Sequence, residues 1–149
     1  MLEIIQTYWL YFLVGQYPNG PLGGLVLTVL LASCALVLAL PLGIAFGLAR
    51  LSPWRWLRWP VTALVYAVRG VPLLMVVFWA YFFLPSVTGV KTDQFSTMLI
   101  ALVVFDAAYL AEIVRAGVQG LPRGQAEASR ALGLSYARTM RLVLLPQAL

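Results

Sequence analysis

A chain of 149 residues that is 62% hydrophobic and 10% charged, with a mean hydropathy of +0.92, has more apolar surface than a globule of that length can bury. That is the composition of an integral membrane protein. The formal charge of +5 does not point to nucleic acid: nine of the ten cations are arginines flanking apolar blocks, without interleaved aromatic stacking platforms.

The absence of histidine excludes imidazole acid–base chemistry and most zinc sites. The single Cys34 allows neither an internal disulfide nor a cysteine metal cluster, and inside its apolar run it reads as a small buried hydrophobe. No catalytic residue, metal site or cofactor site is expected.

In chain order, residues 1–21 contain LEIIQTYWLYFLV, Leu2 to Val14, which is too short to span a bilayer. With Tyr8, Trp9, Tyr11 and Phe12 it reads as an interfacial segment, and it lacks the basic start and cleavage site of a signal peptide. Pro18-Asn19-Gly20-Pro21 is a turn signal. Residues 22–49 form an uncharged apolar run long enough to cross the hydrocarbon core, which takes about 20 helical residues. Within it, Gly43 and Gly47 form a small-xxx-small pair that would let another helix approach closely, although glycine is frequent in membrane helices generally and the pair is a weak dimerisation signal.

Residues 50–60, RLSPWRWLRWP, read as a basic, tryptophan-rich linker. A second span is expected over about 61–84, interrupted by Arg69-Gly70-Val71-Pro72. Pro72 removes a backbone hydrogen bond there, so the helix should bend or break and needs a protein or water-filled neighbour. After a polar connection over 85–94, a third span runs over about 95–118 and carries Asp106, Glu112 and Arg115. Gly89-Val90-Lys91-Thr92 is not a phosphate loop, because no glycine directly precedes Lys91 and none sits at the required upstream spacing.

With three spans, all nine arginines fall on one side of the membrane, leaving Lys91 with Glu3 and Asp93 on the other. The positive-inside rule then puts the N-terminus outside and the closing stretch in the cytoplasm.

A charge at the bilayer centre costs at least about 2.5 kcal/mol, so Asp106, midway along its span, should face protein or water. Two readings stay open. Asp106, with Tyr109 one turn on, lines a polar pathway between helices; or it is a structural acid, neutralised by Arg69 or protonated. Glu112 and Arg115, at i,i+3, read as an ion pair on one helix face.

The closing stretch predicts a helix over Gln125 to Leu132, with Glu127 near its start to complement the helix dipole and Gly133 as its stop. Ser135 can cap a second short helix, Tyr136 to Leu145, which Pro146 ends or kinks. A helix this short is marginal alone, so this helix–turn–helix knob, with alanines at 126, 128 and 131, either docks onto something or lies as an interfacial loop.

Glu127-Ala128, Gly133 and Leu145-Pro146 are similar to the EAA motif of bacterial binding-protein-dependent ABC importer permeases, with Ser129 replacing the second alanine and Val143 standing for isoleucine. Arg69-Gly70-Val71-Pro72-Leu73-Leu74, Ala108-Tyr109 with Ala111-Glu112-Ile113 and Arg115-Ala116-Gly117, and Pro122-Arg123-Gly124-Gln125 resemble the polar-amino-acid branch. Asp106 and its neighbours look most like the glutamate/aspartate permeases.

The resemblance implies an all-α integral membrane protein with the type I ABC importer transmembrane fold over 22–149, and about three of its roughly five spanning helices present. On that pattern the chain is expected to be C-terminally truncated. The resemblance further implies import of an amino acid, glutamate or aspartate, across the bacterial inner membrane. The implied partners are a second permease subunit, identical or not, a periplasmic amino-acid-binding protein and cytoplasmic ATPase subunits that use the ATP, so that the chain itself is not an enzyme. The coupling loop, about 119–146, would dock on the ATPase through Glu127, Ala128, Gly133, Leu145 and Pro146. Arg69, Pro72, Asp106, Tyr109, Glu112 and Arg115 are candidates for the translocation path or for structural ion pairs. Rival readings are an ion-coupled carrier using Asp106, a permease of the same family for another polar amino acid, and a three-helix anchor complete at 149 residues.

Overall fold

A computed structural model describes residues 2–89 and 93–148, and among them the chain is helical apart from turns and one isolated antiparallel bridge, Gly15 to Leu22. In order, the helices are α1 (Leu2–Val14), α2 (Gly24–Leu51), α3 (Arg55–Arg69), α4 (Leu73–Thr88), α5 (Gln94–Gly120), α6 (Arg123–Ala131) and α7 (Tyr136–Thr139). A π-turn (Met140–Leu144) then leads into α8 (Leu145–Ala148). Lys91 lies outside the described residues, as does the side chain of Glu3.

Helices α2 and α5 share the largest interface and form the spine. Each is long and apolar enough to cross a membrane, at 28 and 27 residues. Their contact is made by small residues at helical spacing, with Ala35, Ala39, Gly43 and Gly47 of α2 and Ala101, Ala107 and Ala111 of α5 all buried. A Cβ added at Gly43 would lie 2.5 Å from Leu110 Cβ, and one at Gly47 would lie 2.8 Å from Val114 Cβ. The glycine pair is therefore consumed inside the chain, against α5. Cys34, expected to be buried, is only half-buried on this helix.

The expected second span is two helices. α3 and α4 meet at a 109° bend and count as one span only if taken together. Pro72 stands just outside α4 as its N-cap, where its missing N–H costs nothing, and its carbonyl accepts from Met75 N at 2.9 Å. Gly70 closes α3 by donating to Tyr66 O at 2.9 Å, and Val71 N donates to Val68 O at 3.5 Å. The inner face of α3 packs Val65 on Ala108 and Ala111 of α5, with Phe46, Val61 and Val68 around them.

Several expected boundaries move. Only Ser52, Pro53 and Trp54 of the 50–60 linker are non-helical, because α3 starts at Arg55 and carries Pro60 inside it. A proline so near a helix start deletes one bond, to the Trp56 carbonyl, which the amphipathic pattern of the segment outweighs. α4 runs on through Pro85 to Thr88, where Gly89 at φ 67° caps it. α5 begins on Asp93, whose carboxylate accepts from Ser96 N at 3.2 Å. Hydrogen bonds from Ser96, the side chain first and then the backbone, hold that carboxyl below its ordinary value.

α6 begins at Arg123, two residues earlier than expected, so Glu127 lies beyond the first turn and out of effective reach of the dipole. The second knob helix does not end at Leu145. Its backbone widens into the π-turn, where Leu145 N bonds to Met140 O, and it continues as α8 through Pro146. The wider turn absorbs the missing N–H and the ring of Pro146, as π-bulges do. Ser135 occupies the N-cap position of α7 but makes no side-chain cap hydrogen bond.

Candidate functional site: an arginine cluster and an exposed knob

The glycine seam has a consequence at its end. Arg50 stands three residues after Gly47, so the approach that packs Gly47 on Ala111 and Val114 also lays Arg50 against Glu112. Glu112 Oε2 accepts from Arg50 Nη1 at 2.5 Å and lies 3.2 Å from Arg69 Nη1, at the end of α3. Its Oε1 takes Arg115 Nε at 3.1 Å and Arg115 Nη2 as well. Arg115 Nη1 continues to Gln119 Oε1.

One carboxylate thus gathers three guanidinium groups from three helices, and the cluster keeps an excess of positive charge. Two of these groups also lie over aromatic rings: Arg50 over Tyr66 at 5.3 Å and Arg69 over Tyr109 at 5.2 Å. The Arg50 side chain is 2% exposed, and the Nε atoms of Arg50 and Arg69 are buried without a hydrogen-bond partner. The i,i+3 spacing announced only the Glu112–Arg115 pair. Nothing local links positions 50, 69 and 112; the available signal was that all three lie toward one end of the apolar runs.

Asp106 is a correction in part. Arg69 is engaged by Glu112, and among the described residues no cation pairs with Asp106, which is half-buried. The reading in which Arg69 neutralises it is therefore removed. Tyr109, one turn on, is 40% exposed and packs its ring against Phe105 at 4.8 Å. Pro72, itself exposed, sits at the 109° bend between the half-buried Val71 and Leu73.

The knob is built on a complete Schellman stop. Gly133, at φ 75°, donates to Arg130 O at 2.9 Å and Leu134 N donates to Ser129 O at 3.1 Å. Ser129, in the place of the motif's second alanine, turns inward: it is 3% exposed and its hydroxyl donates to Gln125 O at 2.7 Å. Beside it Thr139, Met140 and Leu144 are buried. Glu127, Ala128, Gly133 and Pro146 are exposed and Leu145 is half-buried.

Two contacts tie the knob to the spine. The Tyr136 hydroxyl donates to Leu51 O, the last residue of α2, at 2.7 Å, and partial desolvation raises the phenol above its usual range. A Cβ at Gly117 of α5 would come within 2.8 Å of Ala148 O on α8. Among the described residues there is no grouping of metal-ligating side chains.

Residues 39–149 match the family described as the binding-protein-dependent transport system inner membrane component. The chain belongs to this family. Among curated proteins it is 38% identical to the inner membrane amino-acid ABC transporter permease protein YhdY of Escherichia coli (strain K12), over 96% of this chain and 41% of that protein. It is also 38% identical to the glutamate/aspartate import permease protein GltK of Escherichia coli O157:H7, over 85% of this chain and 60% of that one. The arginine transport system permease protein ArtQ of Bacillus subtilis (strain 168) is again 38% identical, over 85% and 58%.

Among solved structures, a crystal structure of an amino acid ABC transporter with histidines superposes with a TM-score of 0.79 at 29% identity, covering 99% of this chain and 64% of that one. The inward-facing MetNI methionine ABC transporter gives a TM-score of 0.60 at 27% identity, over 83% and 58%. The fold is the type I ABC importer transmembrane fold, in an inner membrane component. The chain spans about two to three fifths of the length of these curated relatives.

Proposed function

We propose that this chain is part of the permease subunit of an ATP-driven, binding-protein-dependent importer of amino acids, with α6 to α8 as its contact with a separate cytoplasmic ATPase subunit. The observation that carries the proposal is the knob: a capped, exposed pair of short helices fastened to the ends of both α2 and α5. Closure of an ATPase dimer on Glu127, Ala128, Gly133, Leu145 and Pro146 would move this knob as a lever. Tyr136 would pass that motion to α2, and α8 to α5. The break at Pro72 is where α4 can rock relative to α3. The ATP is used by the partner, and the permease needs no cofactor of its own.

The remaining partners would be a second permease subunit and a periplasmic amino-acid-binding protein, with the N-terminus outside and the arginine-rich ends inside. Glutamate or aspartate is the proposed substrate. Asp106, without a cation beside it among the described residues, is available for the ammonium group that every amino acid carries. A second reading, another polar amino acid, is favoured by relatives named for arginine and glutamine.

The deciding experiment is uptake into vesicles holding the full-length complex, with a panel of labelled amino acids. ATP-dependent uptake competed best by glutamate and aspartate supports the proposal; best competition by arginine or glutamine selects the second reading. Uptake driven by an ion gradient without ATP would show an ion-coupled carrier instead.

A further inference from the structure

Beside the arginine cluster the chain forms a cleft of about 520 Å³ between α2, α3 and α5, lined by Arg50, Arg58, Trp59, Thr62, Tyr66 and Arg115, with Ala63. Glu112 already satisfies much of Arg115 and one nitrogen of Arg50, yet positive charge remains in excess. Arg50 reaches this wall with a side chain 2% exposed and a buried Nε that lacks a partner. Arg58, one helical turn from Thr62, is exposed at the mouth. Three guanidinium groups share one carboxylate behind this wall, so the charge left over favours an anion in the cleft.

The surroundings narrow the class of acceptor. The cleft opens beside exposed apolar and aromatic surface on α3, with Trp56 at 73%, Trp59 at 63% and Leu64 at 46% exposure. Arginine with tryptophan at the edge of an apolar run suits the headgroup level of a bilayer. A small polar solute would leave that apolar rim in water, whereas an amphiphile covers it with its chains. Several oxygens on one centre also match guanidinium groups converging from different helices better than a second carboxylate would.

We propose that this cleft binds a phosphate group, that of an anionic phospholipid headgroup, held by Arg58 with Trp59 at the lipid level and drawn in by the positive charge of the arginine cluster behind the wall. The site is independent of the amino acid transported. Arg58 is the residue to change, since Arg50 also holds Glu112 and its loss would unsettle the fold.

The test is native mass spectrometry of the full-length protein in detergent, titrated with phosphatidylglycerol or phosphatidylcholine of the same acyl chains. Phosphatidylglycerol is expected to be retained preferentially. Arg58→Ala should weaken its retention about tenfold, the loss of one charge-assisted contact, without affecting phosphatidylcholine. Arg138→Ala, which removes the same charge from the knob, should change neither. Competition by millimolar sodium phosphate would keep the phosphate chemistry but assign the free anion as its source; no competition assigns the lipid. Equal retention of both lipids, equal losses in the two variants, or displacement by glutamate but not by phosphate would overturn the proposal.

Discussion

The spine and the knob both rely on small residues, for opposite reasons. At Gly43 and Gly47 the space for a side chain is taken, since a Cβ would run into Leu110 or Val114. At Gly124 and Gly133 a Cβ would meet nothing within 4 Å among the described residues, and Ala128 beside them is exposed. Inside the chain, smallness is explained by a neighbouring helix. On the knob it is explained only in part, by the positive φ of Gly133, and nothing else among the described residues accounts for the rest. The contrast separates residues whose smallness holds this fold together from residues whose smallness the proposed docking on an ATPase subunit would explain.

That contrast can be broken first at the charged end of the spine. Glu112→Ala leaves three guanidinium groups facing one another without their carboxylate, and the expected cost is about 3 kcal/mol, read as a lowered thermal midpoint of the full-length protein in detergent. An unchanged midpoint would mean that solvent, and not Glu112, compensates these charges. Next comes Gly43→Val, which forces α2 and α5 apart and should cost about 2 kcal/mol. Adding Leu110→Gly, which removes the Cβ that Gly43→Val runs into, should return part of it relative to the sum of the two single changes, because the two residues share one contact. Simple additivity would place the packing elsewhere.

Gly133→Ala tests the knob's one internal reason for smallness. At φ 75° an alanine is strained by about 1 kcal/mol, and the same assay should show a small fall. The smallest effect belongs to Asp93→Ala. The folded pKa of Asp93 is lowered from 3.8, so its contribution is complete above that value and is lost as pH falls through the lower folded value. The midpoint difference between wild type and Asp93→Ala should therefore be present at neutral pH and shrink toward strongly acidic pH. A difference that grows on acidification would contradict the capping role.

Much of this was legible in the residues. Apolar length located α2 and α5, Gly70 and Pro72 located the break, and Gly133 located the end of α6, because each of those signals is local. The start of α3 was missed because Pro60 reads as a breaker when taken alone, while the amphipathic stripe around it binds to α5. The π-turn before Pro146 was missed because sequence periodicity carries no sign of a widened turn. The arginine cluster was half legible: the i,i+3 spacing gives Glu112 with Arg115, but Arg50 and Arg69 reach Glu112 only through the packing of separate helices. The same packing removed Arg69 from Asp106, which no local rule could have decided.

The central claim is that the knob's small exposed face meets an ATPase subunit, and Ala128→Trp tests it directly. Ala128 is exposed, so the full-length variant should keep its thermal midpoint. On affinity purification of the assembled complex, the account predicts that it loses the ATPase subunits that the wild type retains. A variant that folds normally and still carries its ATPase subunits in full would contradict the claim.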